Sequence, residues 1–116
     1  MLLFQEFRKE VVMAESMRKA RCEFTEDLSK LIKFAIENGY QCAVGKDGEK
    51  HMNGSLHYEG LAHDIMLYKD GEYLTKTEDY AIFGAYWKSL RPENKWGGDF
   101  KNKDGNHFSH GWGGKA

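Results

Sequence analysis

Cysteine, proline, net charge and long apolar runs are all in short supply in this 116-residue sequence, and each shortage closes off a class of protein. The only cysteines, Cys22 and Cys42, are not in a CxxC pair, so neither a disulfide framework nor a four-sulfur zinc knot is possible. They are expected to be two small buried thiols, with a bridge or a metal role as the lesser alternative. The one proline, Pro92, stands just beyond an expected helix, and there is no repeat, low-complexity tract or interdomain linker. A net charge of -1 gives no electrostatic reason to expect nucleic acid or an anionic membrane as partner. No apolar stretch approaches the roughly 20 residues that a membrane-spanning helix needs. Met1-Leu2-Leu3-Phe4 is apolar, but Gln5, Glu6, Arg8, Lys9 and Glu10 interrupt it too soon for a signal peptide. The expectation is accumulation in the cytosol after synthesis.

What is present suits one globular domain over residues 1–116. With 41% hydrophobic and 30% charged residues, the chain can build one modest core. Phe4, Phe7, Val11 and Val12 have helical spacing within a first helix from Phe4 to Met17. Thr25 is placed as the N-cap of a second, with Glu26 and Asp27 at its positive end and Leu28, Leu31, Ile32 and Ala35 as its buried stripe; Asn38-Gly39 ends it. Tyr40 to Val44 reads as a strand, Gly45 to Gly54 as a polar loop, and Leu61 to Tyr68 as a second strand closed by Lys69-Asp70-Gly71-Glu72. A third helix is expected over Glu78 to Leu90, capped by Thr77, with Tyr86 and Trp87 on its core face. The glycine- and aromatic-rich tail from Asn94 suits short strands and tight loops. Helices followed by short strands indicate an α+β fold.

Between His57 and His107 lies a possible catalytic zinc site. Two imidazoles and a carboxylate, His57, Asp64 and His107, can hold zinc and leave a fourth position open. His57 and Asp64 are too far apart along an extended chain to share one ion. The Tyr58-Glu59-Gly60 segment must therefore turn or bulge, and Gly60 permits this. His63 alternates with Asp64 and should face the other way, as a supporting or core-edge residue. A carboxylate in a mainly apolar strand needs compensation, and metal coordination or an ion pair with a lysine would each provide it. Asp104, three residues before His107, is either positioned to act on water or is a turn residue beside Gly105.

The stretch Ser55-Leu56-His57-Tyr58-Glu59-Gly60-Leu61-Ala62-His63-Asp64 resembles the first signature of the D-alanyl-D-alanine carboxypeptidase and L-alanyl-D-glutamate endopeptidase family. Its second signature is matched by Trp96-Gly97-Gly98-Asp99-Phe100 and Asp104-Gly105-Asn106-His107-Phe108. The two stretches frame about half of the chain, from Ser55 to Phe108, in the family's order. These are zinc peptidases of bacterial cell-wall peptides, many of them phage endolysins. The resemblance implies a small zinc-peptidase fold of the hedgehog/DD-peptidase kind, with helices on a short, mainly antiparallel sheet. It implies one Zn2+ ion held by His57, Asp64 and His107. It also implies Asp104 as catalytic acid/base, in the branch that uses aspartate there.

The implied substrate is the peptidoglycan stem peptide, cut at the L-alanyl-D-glutamate bond. A D-alanyl-D-alanine or related carboxypeptidase is the alternative among enzymes, and a non-catalytic zinc-containing wall-binding module the alternative outside them. Trp96 walls the site or belongs to an aromatic core, and Gly97-Gly98 lets the backbone pass close. Ser55 supports the first ligand loop or caps a local turn, and His110 is a candidate substrate contact. Family members commonly carry an arginine upstream of the first histidine. Here none stands between Lys30 and His57, so Lys46 or Lys50 is the candidate replacement, while His51 has no separate role. A monomer, with holin-type release from the host bacterial cytoplasm to the wall, completes the expectation.

Overall fold

The computed structural model describes residues 2–45, 51 and 54–116, with Leu2, Leu3 and Phe4 described by their backbone alone. Lys46 and Lys50, the candidate replacements for the arginine, lie outside the described residues.

Residues 2–37 contain no glycine or proline, and they form one helix, α1 (Leu2–Glu37). The two expected N-terminal helices are therefore a single one. Thr25 does not cap a helix start; its Oγ1 donates to the Arg21 carbonyl at 2.9 Å, a bond to the preceding turn that an unbroken helix accommodates. The buried positions Ala20, Phe24, Asp27, Leu31 and Ala35 recur at helical spacing. Phe7, Val11 and Val12 do not join them and are exposed, because the helix extends past the body of the molecule. At 1.5 Å per residue α1 is about 54 Å long, most of the 62 Å longest dimension. It ends as Asn38-Gly39 suggested. Gly39 takes φ +87°, its N–H donates to Ile36, and the Tyr40 N–H reaches back to Ala35, a Schellman cap.

Among the described residues five strands follow: β1 (Gln41–Val44), β2 (Ala62–Lys69), β3 (Glu72–Tyr73), β4 (Asn94–Trp96) and β5 (His107–His110). They pair antiparallel in the order β1-β2-β5-β4, with β3 also paired to β2. Asp70 and Gly71, both at positive φ, make the two-residue hairpin turn between β2 and β3. The third helix begins later than expected. Thr77–Tyr80 is a 3-10 turn in which Thr77 caps nothing, and α2 runs from Ala81 to Leu90. Tyr80 fixes that turn from the core: its hydroxyl donates to the Leu74 carbonyl and accepts from the Leu67 N–H.

The two helices cover one face of the sheet, which makes the molecule α+β. Ile65, Leu67 and Phe108 point from the sheet into the core against Phe24, Leu31, Phe83 and Trp87. Trp87 is fully buried, meets Phe24 and Phe108 edge to face, and donates its indole N–H to the Ser109 carbonyl at 3.0 Å. The cysteines do not behave as expected. Cys22 lies on the exposed side of α1, Cys42 is half-buried in β1, and both are free thiols.

Candidate metal centre

Period-2 alternation in β2 sends His63, Ile65 and Leu67 toward the helices and Asp64 toward the opposite face. His63 stacks on Phe24, with ring centroids 6.1 Å apart. On the free face Asp64 is the register partner of His107 in β5, so the two side chains rise side by side.

His57 reaches them through the turn that the spacing demanded. The N–H groups of Tyr58, Glu59 and Gly60 donate to the carbonyls of Ser55, Leu56 and His57, and Leu61 N–H closes back on Leu56. Gly60 sits at φ +73°, where a side chain would be strained. Ser55 Oγ accepts the His57 N–H at 3.2 Å. From α1, Arg21 Nε donates to the Glu59 carbonyl at 2.7 Å, pinning the turn to the long helix.

Three donor atoms converge as a result. His57 Nε2 lies 3.2 Å from His107 Nδ1 and 3.4 Å from Asp64 Oδ1, and His107 Nδ1 lies 3.9 Å from the same oxygen. Ligand atoms around a tetrahedral zinc ion, at bond lengths near 2.0–2.1 Å, stand about 3.3 Å apart. The donor set therefore fits such an ion in kind and in spacing. Its protonation fits as well. The Ala116 carbonyl, 3.2 Å from His107 Nε2, can only accept, so Nε2 carries the proton and Nδ1 keeps a lone pair. Burial, with His51, His107 and His63 nearby, pushes the pKa of His57 down to about 4. Burial also lowers that of His107, against the opposing pull of the Ala116 carbonyl and Asp104. Both imidazoles are thus held in the neutral form that binds metal.

Asp104 is exposed at the rim, and one of its carboxylate oxygens lies within 4.8 Å of the donor atoms of Asp64 and His107. Its position depends on close backbone approach. Asp104 N–H donates to the Gly97 carbonyl, and a Cβ on Gly97 would stand 2.0 Å from the Asp104 carbonyl oxygen. Trp96 sits beneath this loop, packed between Gly84 and Gly98, and donates its indole N–H to the Gly105 carbonyl at 2.7 Å. It supports the floor from the core and does not line the opening. His110 is likewise absent from the cleft: alternation along β5 turns it to the helix side, away from His107.

The donors open into a cleft of about 610 Å³ lined by His51, Ser55, His57, Phe100, Asp104 and His107 among others. Sequence reasoning gave His51 no separate role and did not single out Lys101 or Lys115, yet all three line the cleft. His51 lies flat on His57, centroids 3.7 Å apart, and can join His57 and Asp64 around an ion. Lys101 and Lys115 bring positive charge to the rim. The signal for Lys115 was Gly113-Gly114, both at positive φ, which fold it back against Trp112. His51 had none, because no periodic pattern links it to His57.

No family profile matches the chain, and no curated protein matches it by sequence. Among solved structures it is similar to the crystal structure of the Serratia marcescens L-Ala D-Glu endopeptidase ChiX. That likeness has a TM-score of 0.55 at 21% identity and covers 80% of this chain and 84% of that one. What the two share is the fold.

Proposed function

We propose that this protein is a zinc-dependent peptidoglycan peptidase that hydrolyses the L-alanyl-D-glutamate bond of the stem peptide. The observation that carries the reading is the meeting of His57, Asp64 and His107 at ligand-to-ligand spacing beside the Asp104 carboxylate, in an open cleft. The fold shared with an L-Ala D-Glu endopeptidase and the two sequence signatures support the substrate class.

In this reading His57 Nε2, His107 Nδ1 and Asp64 hold the zinc, which when bound supplies Lewis acidity toward water and toward a carbonyl oxygen. Asp104 takes the proton of the attacking water and returns it to the departing amine as the peptide bond breaks. Phe100, whose ring centroid is 5.1 Å from that of His107, gives the cleft an apolar wall. Lys101 and Lys115 at the cleft rim would attract the carboxylates of an acidic peptide.

Mass spectrometry of purified peptidoglycan, incubated with zinc-loaded and with chelated protein, tests the proposal. New L-alanine carboxyl and D-glutamate amino ends, formed only with metal, are expected. Loss of terminal D-alanine would make the protein a carboxypeptidase. No metal-dependent product on several wall types would leave a wall-binding module.

A further inference from the structure

On the helix side of the sheet lies a second group of metal-ligating side chains that the cleft does not use. It centres on His110, which is only 5% exposed. Its Nδ1 lies 2.9 Å from the Gly111 carbonyl oxygen, which can only accept, so the proton belongs on Nδ1. Nε2 then carries a lone pair, and that atom is buried with no hydrogen-bond partner among the described residues. Leaving a buried acceptor unsatisfied costs about 1–3 kcal/mol. A ring nitrogen of His110 and carboxylate oxygens of Glu23 and Glu93 all lie within 4.8 Å of one another. Among the described residues, no hydrogen bond or ion pair links the ring to either glutamate.

The surrounding charge favours a cation. The Arg91 guanidinium pairs with Glu23, Glu26 and Asp27. With Glu93 there are four carboxylates to one guanidinium, a sum of -3 for these groups while His110 is neutral. An imidazole nitrogen selects a transition metal over magnesium or calcium, which prefer all-oxygen sites. An Nδ1–H bonded to a backbone carbonyl is also the usual way a ligating Nε2 is oriented.

We infer that Glu23, Glu93 and His110 form a second site, for a first-row divalent transition metal such as zinc. Its ligands are Nε2 of His110 and one oxygen from each glutamate. The three residues come from α1, from the connection between α2 and β4, and from the end of β5, so the ion ties the long helix to the sheet edge. His107 lies three residues from His110 on the same strand, which makes this ion a brace for the cleft rather than part of it. Glu93 is exposed and gives the metal a way in.

Zinc titration of chelator-stripped protein, by calorimetry with elemental analysis after dialysis, tests this independently of what the cleft does. Wild-type protein is expected to bind two ions. Glu93→Gln should weaken one of them by at least about tenfold, and His57→Ala should leave that Glu93-dependent ion in place. The His110 ring resonances should shift on zinc addition in the His57→Ala protein. The inference is overturned if Glu93→Gln changes neither stoichiometry nor affinity while those resonances stay fixed. Because Glu93 is an exposed surface residue, its variant folds if the wild type does.

Discussion

Gly97 and Asp104 lie so close that the Asp104 N–H donates to the Gly97 carbonyl at 2.9 Å and no side chain fits between them. A Cβ at position 97 would meet the Asp104 carbonyl oxygen, a backbone atom, at 2.0 Å and the root of the His107 side chain, its Cβ, at 2.7 Å. Gly97→Ala must therefore push the 97–106 loop outward and move the proposed acid/base and a proposed ligand together. A displacement on the order of 1 Å near reacting groups costs about 100-fold in rate. Peptidoglycan hydrolysis should fall by about that much in Gly97→Ala, with weaker zinc retention. An active variant with unchanged metal content would show that this contact does not set the site.

Asp104 and the three donors should separate cleanly in their effects. Asp104→Asn removes the proton acceptor, but its side chain is exposed and outside the triad of close donor atoms. The expected result is a rate lower by about 10²–10⁴-fold with zinc still bound, whereas His57→Ala should lose activity and cleft metal together. Near-normal turnover in Asp104→Asn would remove it from the proton-transfer role.

The parts of this molecule that were legible in its sequence are those governed by local rules. Gly60 between His57 and Asp64 announced a turn, and the chain turns there at φ +73°. Strand alternation separates His63 from Asp64 on the sequence alone, and the same rule applied to β5 places His110 opposite His107. Thr25 misled because a good capping residue is also tolerated inside a helix when its hydroxyl bonds back to the previous turn. Nothing local reported that residues 2–37 would extend past the core, since an apolar stripe such as Phe7 and Val11 looks the same whether covered or exposed. The network of Asp27, Arg91 and Asn94 joins residues more than 60 positions apart, and no pattern within a helix or strand reveals it.

Metal-free protein should lose stability as the pH falls through the acid range. Folded His57 titrates at about 4, against an ordinary value of 6.5 in the unfolded chain. Between those values the unfolded state binds the extra proton, so unfolding free energy rises with pH across that window and levels off above it. His107, also shifted down by burial, adds in the same direction. From His57 the change is about 3 kcal/mol at most, taking 1.36 kcal/mol per pKa unit. Urea midpoints of chelated protein from pH 4 to 7 would check it. His57→Gln should flatten the slope, and an unchanged slope would place the titration elsewhere.

The joint between the long helix and the sheet is built around Asp27. Asp27 is 0% exposed in the middle of α1, yet its carboxylate is fully engaged. It accepts from Arg91 Nε at 2.8 Å, Arg91 Nη2 at 3.2 Å and Asn94 Nδ2 at 3.0 Å. Asp27→Ala removes an acceptor from two donors and opens space beside them, and loss of one partner from a buried pair costs about 3–5 kcal/mol. Arg91 keeps Glu23, and Asn94 Nδ2 keeps the Trp87 carbonyl, so the lower end, about 3 kcal/mol, is expected. Glu26 also faces Arg91, at 3.6 Å, but its side chain is 66% exposed, and Glu26→Ala should cost less than about 1 kcal/mol. Urea unfolding followed by tryptophan fluorescence can compare the two, with buried Trp87 as a reporter. Equal losses would mean that the buried carboxylate does no more than a surface one, and that packing of Phe24 and Leu31 alone holds α1 in place.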